Sequence, residues 1–502
     1  MYICLEMFVR FLIFVSLFCL STRANSQNYT YDYDASCRAA YSSYLSMDLA
    51  DGNAATIKAI KQNPYNLMAT YISDYEDFVL LLFNGSEIDM QQRKGHFNER
   101  LDLLNKGNED VPWYRLCKAG VYLHWAFIHG RFGENFKAAT LFRKSFQLLR
   151  ENREKFPDFT YNNVFLGLEE AAVGTIPEDY KWLASVFGMK GNVKNGNNKL
   201  TTFLKEHTNT TDILREEAVI FQCYIRFYLL SQPDQVWNFV NSNDFQIQNN
   251  LLRCFVRTNL SLNNRRAETA LQTMHYAQTL SNYNEFPTMD YEMGNALMLK
   301  VDYSSINYFQ RYVTRNKGNL YTKDAWQKMA YMFYLEQNQS KANYCLSQLK
   351  AQGNTIVDAD KQAERLAETQ KWPNPTLLQV RLLTDGGYFT QAQAKLSGLN
   401  ETNFNNPADK LEYNYRTGKL FDELNQDAKA IQYYQIALNT GKDMKEQYAA
   451  RSALQIGMIY EKQGKNDSAL QYYRICLQMR NHDFQSSLDQ QSKAGINRLS
   501  GK

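Results

Sequence analysis

The clearest pattern of apolar and polar positions lies near the C-terminal end, between residues 450 and 477. Apolar and small residues recur there at intervals of three and four, which predicts two amphipathic helices separated by a turn. Small residues stand at Gly457 and Ala469, and rings stand at Tyr460 and Tyr473. We expect the small side chains to let two antiparallel helices approach closely while the rings fill the space beside them. The stretch therefore predicts one helix-turn-helix unit.

This unit resembles a tetratricopeptide repeat (TPR), a pair of helices of about 34 residues. Counted from Ala450 as position one, small residues occupy positions eight, twenty and twenty-seven, and Gly464 occupies position fifteen in the turn. Residues 411–438 show the same pattern with Gly418, Ala430 and Ala437 as the small residues. We predict two repeats, 411–444 and 450–483, followed by a polar helix over 483–499 that caps the array.

Helical periodicity continues through most of the chain, and no segment with the period of a β-strand competes with it. Weaker copies of the pattern place Gly133 and Gly387 at position fifteen, Gly294 near a later Phe309, and Ala342 in a small-residue position. We therefore predict an all-α fold, a TPR-like α-solenoid of antiparallel helix pairs. We divide it into an N-terminal helical TPR-like region, 27–210, degenerate TPR-like repeats, 211–400, and C-terminal repeats with the capping helix, 401–502.

The first 26 residues are predicted to be a signal peptide. Arg10 precedes the apolar run 11–20, and Ala24-Asn25-Ser26 offers the small residues that a signal peptidase reads, so we predict cleavage before Gln27. The chain would then be exported and periplasmic or associated with the cell envelope. An uncleaved anchor and lipidation at Cys19 remain alternatives. After the leader, no apolar run is long enough for a transmembrane helix, and the tyrosine-rich segment 29–34 is predicted to be disordered or loosely docked.

Charge and cysteine usage narrow the classes of partner. The formal net charge of +4 on 502 residues does not suggest a phosphate backbone, so we expect no nucleic-acid partner. The cysteines beyond the leader are scattered singly, without the spacing of a disulfide framework or a zinc site. We expect most of them to be free, buried packing residues, although export would permit disulfides. They are Cys37, Cys117, Cys223, Cys254, Cys345 and Cys476.

Two candidate sites, a phosphate-binding loop and a histidine metal site, lack the residues or the spacing that they need. Gly191 and Gly196 have the spacing of a phosphate-binding loop, but Asn197-Asn198 stand where Lys and Ser or Thr are needed, so we assign these glycines to a helix cap and turn. His124 and His129 are five residues apart, about 140° around a helix, so they cannot hold one metal as an i, i+4 pair could.

Acidic residues also give no catalytic pair. The adjacent residues Glu169-Glu170 and Glu216-Glu217 fall on different helical faces, and we interpret both pairs as solvated surface. We therefore predict no catalytic residues, no metal site and no cofactor, and we predict that the protein is not an enzyme. An unrecognised enzyme remains an alternative.

A second resemblance covers roughly residues 112–477. A hydrophobic residue with Pro, then glycines shortly before a Leu, resemble the tetratricopeptide repeat protein 39 family; these residues are Ile176-Pro177, Gly188, Gly191, Gly196 and Leu200. Trp326, with Tyr331 and Leu335, resembles that family's later Trp-containing helix. Asp324-Ala325 before the Trp and the export signal depart from eukaryotic members, and the chain looks closer to exported bacterial relatives. The resemblance implies a helical repeat fold with interaction or scaffold roles.

A binding groove follows from the repeat geometry. In such solenoids the first helix of each pair lines the concave side, and positions two, five, nine, twelve and thirteen project into it. Tyr415 with Lys419, and Leu454 with Met458, do not match the Lys and Asn of a carboxylate-binding repeat. The predicted groove residues are Glu412, Tyr415, Lys419, Asp422, Glu423, Arg451, Leu454, Met458, Glu461 and Lys462.

The sequence favours an exported TPR scaffold or adaptor that binds a protein or peptide partner in the cell envelope, without catalysis. The main alternative is a glycan- or nutrient-binding helical protein that accompanies an outer-membrane transporter. That alternative needs exposed stacking aromatics, for which Trp182 and Trp237 are candidates.

Overall fold

The computed structural model describes residues 28–175 and 189–500. Within these ranges the chain is helical and contains no β-strand beyond an isolated parallel bridge between Thr30 and Asn66. The predicted all-α fold is therefore confirmed. The predicted signal peptide and Ile176-Pro177, Trp182 and Gly188 lie outside the described residues, and none of the described helices has the length and apolar surface needed to cross a bilayer.

The chain forms two compact units, one of residues up to Leu82 with Ile88–Ser231, the other of Phe83–Glu87 with Gln232–Lys502. The finer division into 27–210, 211–400 and 401–502 stays a prediction. The described helices of the first 231 residues are α1 (Ala35–Tyr44), α2 (Leu49–Gln62), α3 (Leu67–Ile72), α4 (Asp74–Asn84), α5 (Glu87–Leu104), α6 (Pro112–Arg131), α7 (Asn135–Lys155), α8 (Asn162–Gly174), α9 (Val193–Glu206) and α10 (Arg215–Tyr224).

The second unit consists mainly of consecutive helix pairs. They are α12 and α13, α14 and α15, α16 and α17, α19 and α20, α21 and α22, and α23 and α24, and the two members of each pair pack on each other. The helices are α11 (Pro233–Val240), α12 (Leu251–Asn263), α13 (Ala267–Ala277), α14 (Thr288–Leu299), α15 (Ser305–Arg315), α16 (Thr322–Leu335), α17 (Gln339–Ala351), α18 (Asp358–Thr369), α19 (Pro375–Gly386), α20 (Phe389–Leu396), α21 (Pro407–Glu423), α22 (Asp427–Gly441), α23 (Tyr448–Lys462), α24 (Asn466–Gln478) and α25 (Gln485–Leu499).

Three of the helices given above, α11, α18 and α25, lie outside these pairs. Helix α18 is inserted between the α16/α17 pair and the α19/α20 pair, and it packs on both α16 and α17. Helix α25 packs on α23 and α24 at the end of the array, as predicted for the capping helix.

The turn inside each pair has the same backbone geometry. In the C-terminal pair Gly464 is left-handed with φ 72°, and the Lys465 N–H donates to the Tyr460 carbonyl at 2.9 Å, which closes a Schellman turn. The corresponding bond recurs after every left-handed residue of the set. These residues are Met47, Gly133, Arg265, Val301, Gln337, Gly387, Asn425 and Gly464. They provide a common register for the pairs, and position fifteen is confirmed at Gly133, Gly387 and Gly464, where the sequence predicted it.

Glycine packed under a ring joins the two helices within a pair. A Cβ atom on Gly457 would lie 2.7 Å from Cε1 of Tyr473, and one on Gly418 would lie 2.8 Å from Cδ1 of Tyr434. Gly294 stands in the same relation to Phe309, at 2.8 Å. Distances this short leave no space for a side chain. The predicted contact between position eight and position twenty-four is therefore confirmed.

The segment 29–34 is docked in the first unit, contrary to the predicted disorder or loose docking. The Thr30 N–H donates to the Tyr65 carbonyl at 2.9 Å, and the Leu67 N–H donates to the Thr30 carbonyl at 2.7 Å. Asn66 adds two side-chain bonds to the Asp32 backbone, at 3.0 and 2.8 Å. The sequence showed no periodicity here because these bonds join one extended segment to a distant turn.

A buried carboxylate organises the first unit, which corrects the prediction that Glu216-Glu217 is solvated surface. Glu217 is 4% exposed and accepts hydrogen bonds from the hydroxyls of Tyr41 and Tyr75. Burial raises the pKa of Glu217, and the two hydroxyls offset part of its desolvation. Adjacent residues do fall on different faces of a helix, but one of those faces can be buried, and the prediction placed both side chains in solvent.

The prediction that Glu169-Glu170 is solvated surface is also wrong, because the Glu169 side chain is fully buried. Burial raises the pKa of Glu169. The two histidines are hydrogen-bonded as expected: His124 Nδ1 lies 2.9 Å from Asp74 Oδ2, and His129 pairs with Glu134.

Gly191 and Gly196 serve close packing, and the predicted cap and turn are wrong. Neither residue is left-handed, and Gly196 lies inside α9. A Cβ on Gly196 would lie 2.3 Å from the Gly167 carbonyl oxygen of α8. The two helices therefore cross at backbone contact, which only glycine permits at that point.

The predicted burial of the six cysteines is confirmed, and none of these six forms a disulfide within the described residues. They fill positions in the helix faces, as a small apolar residue would. Cys476, for example, packs with Ala469, Tyr473 and Leu488 between α24 and α25.

An inner cavity of the second unit

A cavity of about 1180 Å³ opens along the first helices of consecutive pairs in the second unit. Its wall is built by α12, α14, α16 and α19, together with the inserted helix α18. The segments 445–447 and 483–484 line it as well. Pockets for drug-sized molecules hold about 300 to 1,000 Å³. The cavity therefore exceeds a usual small-molecule pocket, and we treat it as the candidate binding site.

The repeat register explains which side chains face the cavity. With the left-handed residue of each turn as position fifteen, position nine is Asn259 on α12, Asn295 on α14, Tyr331 on α16 and Arg381 on α19. All four line the cavity. Position five contributes Phe255, Tyr291 and Gln327 in the same way. The inward-facing positions used in the sequence analysis thus describe these central pairs.

The ten predicted groove residues lie on α21 and α23, and none of them lines this cavity. Tyr415 and Leu454 are 3% and 2% exposed and pack inside the hydrophobic clusters of the two C-terminal pairs. Met458 is 45% exposed, Lys462 is exposed and Arg451 is half-buried. The use of these residues by a partner stays a prediction.

Apart from Arg451, the charged members of that predicted set form hydrogen bonds or ion pairs within the chain. Glu412 pairs with Arg416 at 3.0 Å, and Lys419 pairs with Glu423 at 2.6 Å. Asp422 accepts a hydrogen bond from the Tyr434 hydroxyl. Lys462 donates to Asn425 at 3.0 Å, and Glu461 receives Arg498 of the capping helix. The first two pairs lie within α21, whereas Asp422, Lys462 and Glu461 connect α21 and α23 to neighbouring elements.

A closed polar cluster lies on the α14 and α16 side of the cavity. Lys328 Nζ lies 2.5 Å from Asp324 Oδ2, 2.9 Å from the Tyr291 hydroxyl and 2.7 Å from Asn295 Oδ1. The Tyr291 hydroxyl also donates to Asp324 Oδ2 at 2.6 Å. Each group in the cluster finds a partner in its neighbours. The arrangement stiffens the wall and leaves the Lys328 ammonium no free donor for proton transfer to a substrate.

Glu292 adds a second carboxylate to this wall. It is 6% exposed, and Asn259 Nδ2 donates to its Oε1 at 3.3 Å. Burial raises the pKa of Glu292, while the Asn259 hydrogen bond and the nearby Lys328 charge oppose that shift. The side chain is thus tied to the adjacent pair and links α12 with α14.

Helix α18 is fixed to α16 by one aspartate. Asp360 is fully buried, and its two oxygens accept the backbone N–H groups of Tyr321 and Asp324 at 2.7 and 2.9 Å. These N–H groups belong to the start of α16, where Tyr321 is left-handed and provides no side-chain cap. A carboxylate from another helix therefore caps α16. It holds α18 where Gln362 and Arg365 line the cavity.

Two carboxamides on the wall stay unengaged. Gln327 and Gln362 have no side-chain hydrogen bond to another residue of the described ranges. A primary amide carries both donors and an acceptor. These two groups can therefore pair with the backbone of an extended polypeptide.

No group of three or more His, Cys, Asp or Glu side chains that could hold a metal occurs in residues 28–175 and 189–500. Trp237, a candidate stacking residue, lies under the Arg266 guanidinium, 5.4 Å from the ring centroid, and is half-buried. It does not line the cavity.

Comparison with known families finds the tetratricopeptide repeat in residues 452–485. The match spans most of α23 and all of α24, and it supports the repeat predicted there. No curated protein matches the chain significantly. The similarity to the tetratricopeptide repeat protein 39 family and the exported character stay predictions.

Similar solved structures align weakly over most of the chain. A human IFIT1 dimer with m7Gppp-AAAA is 15% identical, covers 87% of this chain and 80% of its own, and has a TM-score of 0.27. The APC/C hetero-tetramer Cut9-Hcn1 is 10% identical, with 91% and 95% covered and a TM-score of 0.26. At TM-scores below 0.5 these alignments support no argument about this chain.

Proposed function

We propose that this protein is an exported helical-repeat scaffold that binds an extended segment of a partner protein in the inner cavity of its second unit. The observation that carries the proposal is the ladder of position-nine and position-five side chains from successive pairs along one cavity. Each pair repeats the same inward positions, so the wall offers contacts at regular steps along a chain. The export part rests on residues 1–26 of the sequence.

The cavity is better suited to binding a ligand than to converting a substrate. The Lys328, Asp324 and Tyr291 groups satisfy one another, and the unengaged groups are amides and exposed cations. Amides donate and accept hydrogen bonds without transferring protons at neutral pH. The proposal therefore includes no catalytic step.

The test is selection of displayed random twelve-residue peptides on the purified chain, followed by affinity measurements on variants. Gln327→Trp places a large ring in the cavity, and we expect it to weaken binding of selected peptides at least tenfold. Gln339→Trp on the exposed start of α17 is the matched control and should bind normally. Failure to enrich any peptide, or equal binding by both variants, would refute the proposal.

A soluble glycan array on the same three proteins covers the other class of ligand. A glycan signal that Gln327→Trp abolishes and Gln339→Trp preserves would assign the cavity to sugars and overturn the peptide proposal.

A further inference from the structure

Six cations line the cavity: Arg265, Lys328, Arg365, Lys371, Arg381 and Lys445, the last of which precedes Glu446 in the segment 445–447. Two of the six are paired with a carboxylate. Lys328 pairs with Asp324 at 2.5 Å, and Arg265 pairs with Glu423 at 3.0 Å. Arg365, Lys371 and Arg381 also line the cavity, but the structure pairs none of these three with a carboxylate of the described ranges. We call Arg365, Lys371 and Arg381 the cationic rim.

The cationic rim is held in place by its surroundings. Arg365 projects from α18, which Asp360 anchors to α16. Lys371 precedes Trp372, whose ring stacks on Tyr334 with centroids 4.8 Å apart. These contacts anchor the backbone that carries Arg365 and Lys371, whose own side chains are exposed.

Arg381 is oriented by a ring instead of an acid. Its guanidinium lies 5.7 Å from the centroid of Tyr331. Arg381 also hydrogen-bonds the Tyr331 side chain, and the N–H groups of its guanidinium that Tyr331 does not engage can bind a carboxylate. The aromatic partner thus positions the charge without neutralising it.

Five acidic residues also line the cavity: Glu292, Asp324, Asp385, Glu446 and Asp483. Glu446 and Asp483 belong to the segments 445–447 and 483–484, which also contain Lys445. The negative charge of Asp385 helps to raise the pKa of Arg416. Asp385 lies on α19 with Arg381, but within the described ranges no ion pair joins any of these carboxylates to Arg365, Lys371 or Arg381. Cations without a paired carboxylate attract ligand groups of the opposite sign.

We propose that the cationic rim selects an acidic peptide, an extended segment whose Asp or Glu side chains, or terminal carboxylate, meet Arg365, Lys371 and Arg381. The inference rests on the proposed function, because it names the kind of segment that the same cavity takes. Gln327 and Gln362 would form hydrogen bonds with the backbone of the segment, and the cationic rim would bind its carboxylates.

The test uses the peptide selection described above, with charge-reversal variants. We expect Asp and Glu to be enriched among selected peptides, and we expect their affinity to fall as salt is raised from about 50 to 500 mM because exposed charges are screened. Arg365→Glu should weaken binding at low salt about tenfold or more, since like charges then face each other. Lys361→Glu is the matched control on α18: Lys361 is exposed, pairs with Asp358 and does not line the cavity.

The outcomes separate the two proposals. Selected peptides without acidic bias, or equal binding by wild type and Arg365→Glu, would overturn the inference and leave the peptide cavity standing if Gln327→Trp still blocks it. No selected peptide at all would overturn both. Helical circular dichroism checks that Arg365→Glu folds. If it does not, Lys371→Glu, outside the helix, replaces it with the same expected loss.

Discussion

Individual residues decide how closely the helix pairs approach. Gly457 and Gly418 each lie under a tyrosine of the second helix of the pair. The sequence predicted these contacts because the small residue and the ring recur at a fixed spacing. A single glycine at each crossing therefore determines whether the two helices can pack.

Substitution of Gly457 by Leu should overpack this crossing. The first added atom would already lie 2.7 Å from the Tyr473 ring, so the ring or the backbone must shift. We expect a loss of roughly 1 to 3 kcal/mol in the free energy of unfolding, measured by urea denaturation. Gly95→Leu is the control, because Gly95 is exposed and an added Cβ meets only Glu99 Oε1 at 3.7 Å. Equal midpoints for the two variants would contradict the packing explanation.

Some residue-level features could not be predicted from the sequence. Four of the left-handed turn residues are Met47, Arg265, Val301 and Gln337, whose side chains do not mark that conformation. Without them the register was visible mainly in the C-terminal pairs, so the predicted groove was confined to α21 and α23. Glu217 was missed for a related reason: its partners Tyr41 and Tyr75 are 176 and 142 residues away.

At the scale of elements, α18 is the main departure from a regular array. It separates position nine of α16 from position nine of α19 by 381 − 331 = 50 residues, against 295 − 259 = 36 between α12 and α14. Periodicity alone predicts a helix there but not the face that it covers. That face is set by Asp360, which caps a helix 36 residues earlier in the chain.

Asp360 should make the stability of the second unit depend on pH in a specific direction. Burial raises the pKa of Asp360 from 3.8 to about 6. Between about pH 4 and pH 6 the folded state keeps a proton that the unfolded state has lost, so stability falls as the pH rises through this window. We expect the stability of wild type relative to Asp360→Asn to decrease from about pH 4 to pH 6.5 and then to level off.

Urea denaturation at a series of pH values measures this difference. Asp358→Asn on the same helix is the control, since Asp358 is exposed and pairs only with Lys361. A flat difference between wild type and Asp360→Asn across the window, or the same slope for Asp358→Asn, would exclude the assigned role.

At the scale of the whole molecule, composition and periodicity predicted the fold class, whereas the site needed coordinates. The all-α repeat architecture follows from local spacing, which the sequence displays directly. The cavity depends on how α18 and the segments 445–447 and 483–484 meet the first helices, and no local signal reports such contacts.

Export is the prediction that belongs to the whole chain. Residues 1–26 have the pattern of a cleaved leader, and the docked segment begins a few residues later, with Thr30 bonded to Tyr65 and Leu67. We expect N-terminal sequencing of protein from envelope fractions to start at Gln27. Recovery of Met1, or of the protein in the cytoplasmic fraction alone, would count against export.

The buried thiols have a consequence for maturation in an oxidising compartment. Burial raises the pKa of Cys37, Cys254 and Cys345 to about 12. Thiol–disulfide exchange needs an accessible thiolate. In the native chain these thiols are buried and stay protonated, so they react slowly with oxidants. A nascent chain lacks that protection. Folding and mispaired cross-linking would therefore compete for the same six sulfurs, and speed of burial would decide how much protein matures correctly.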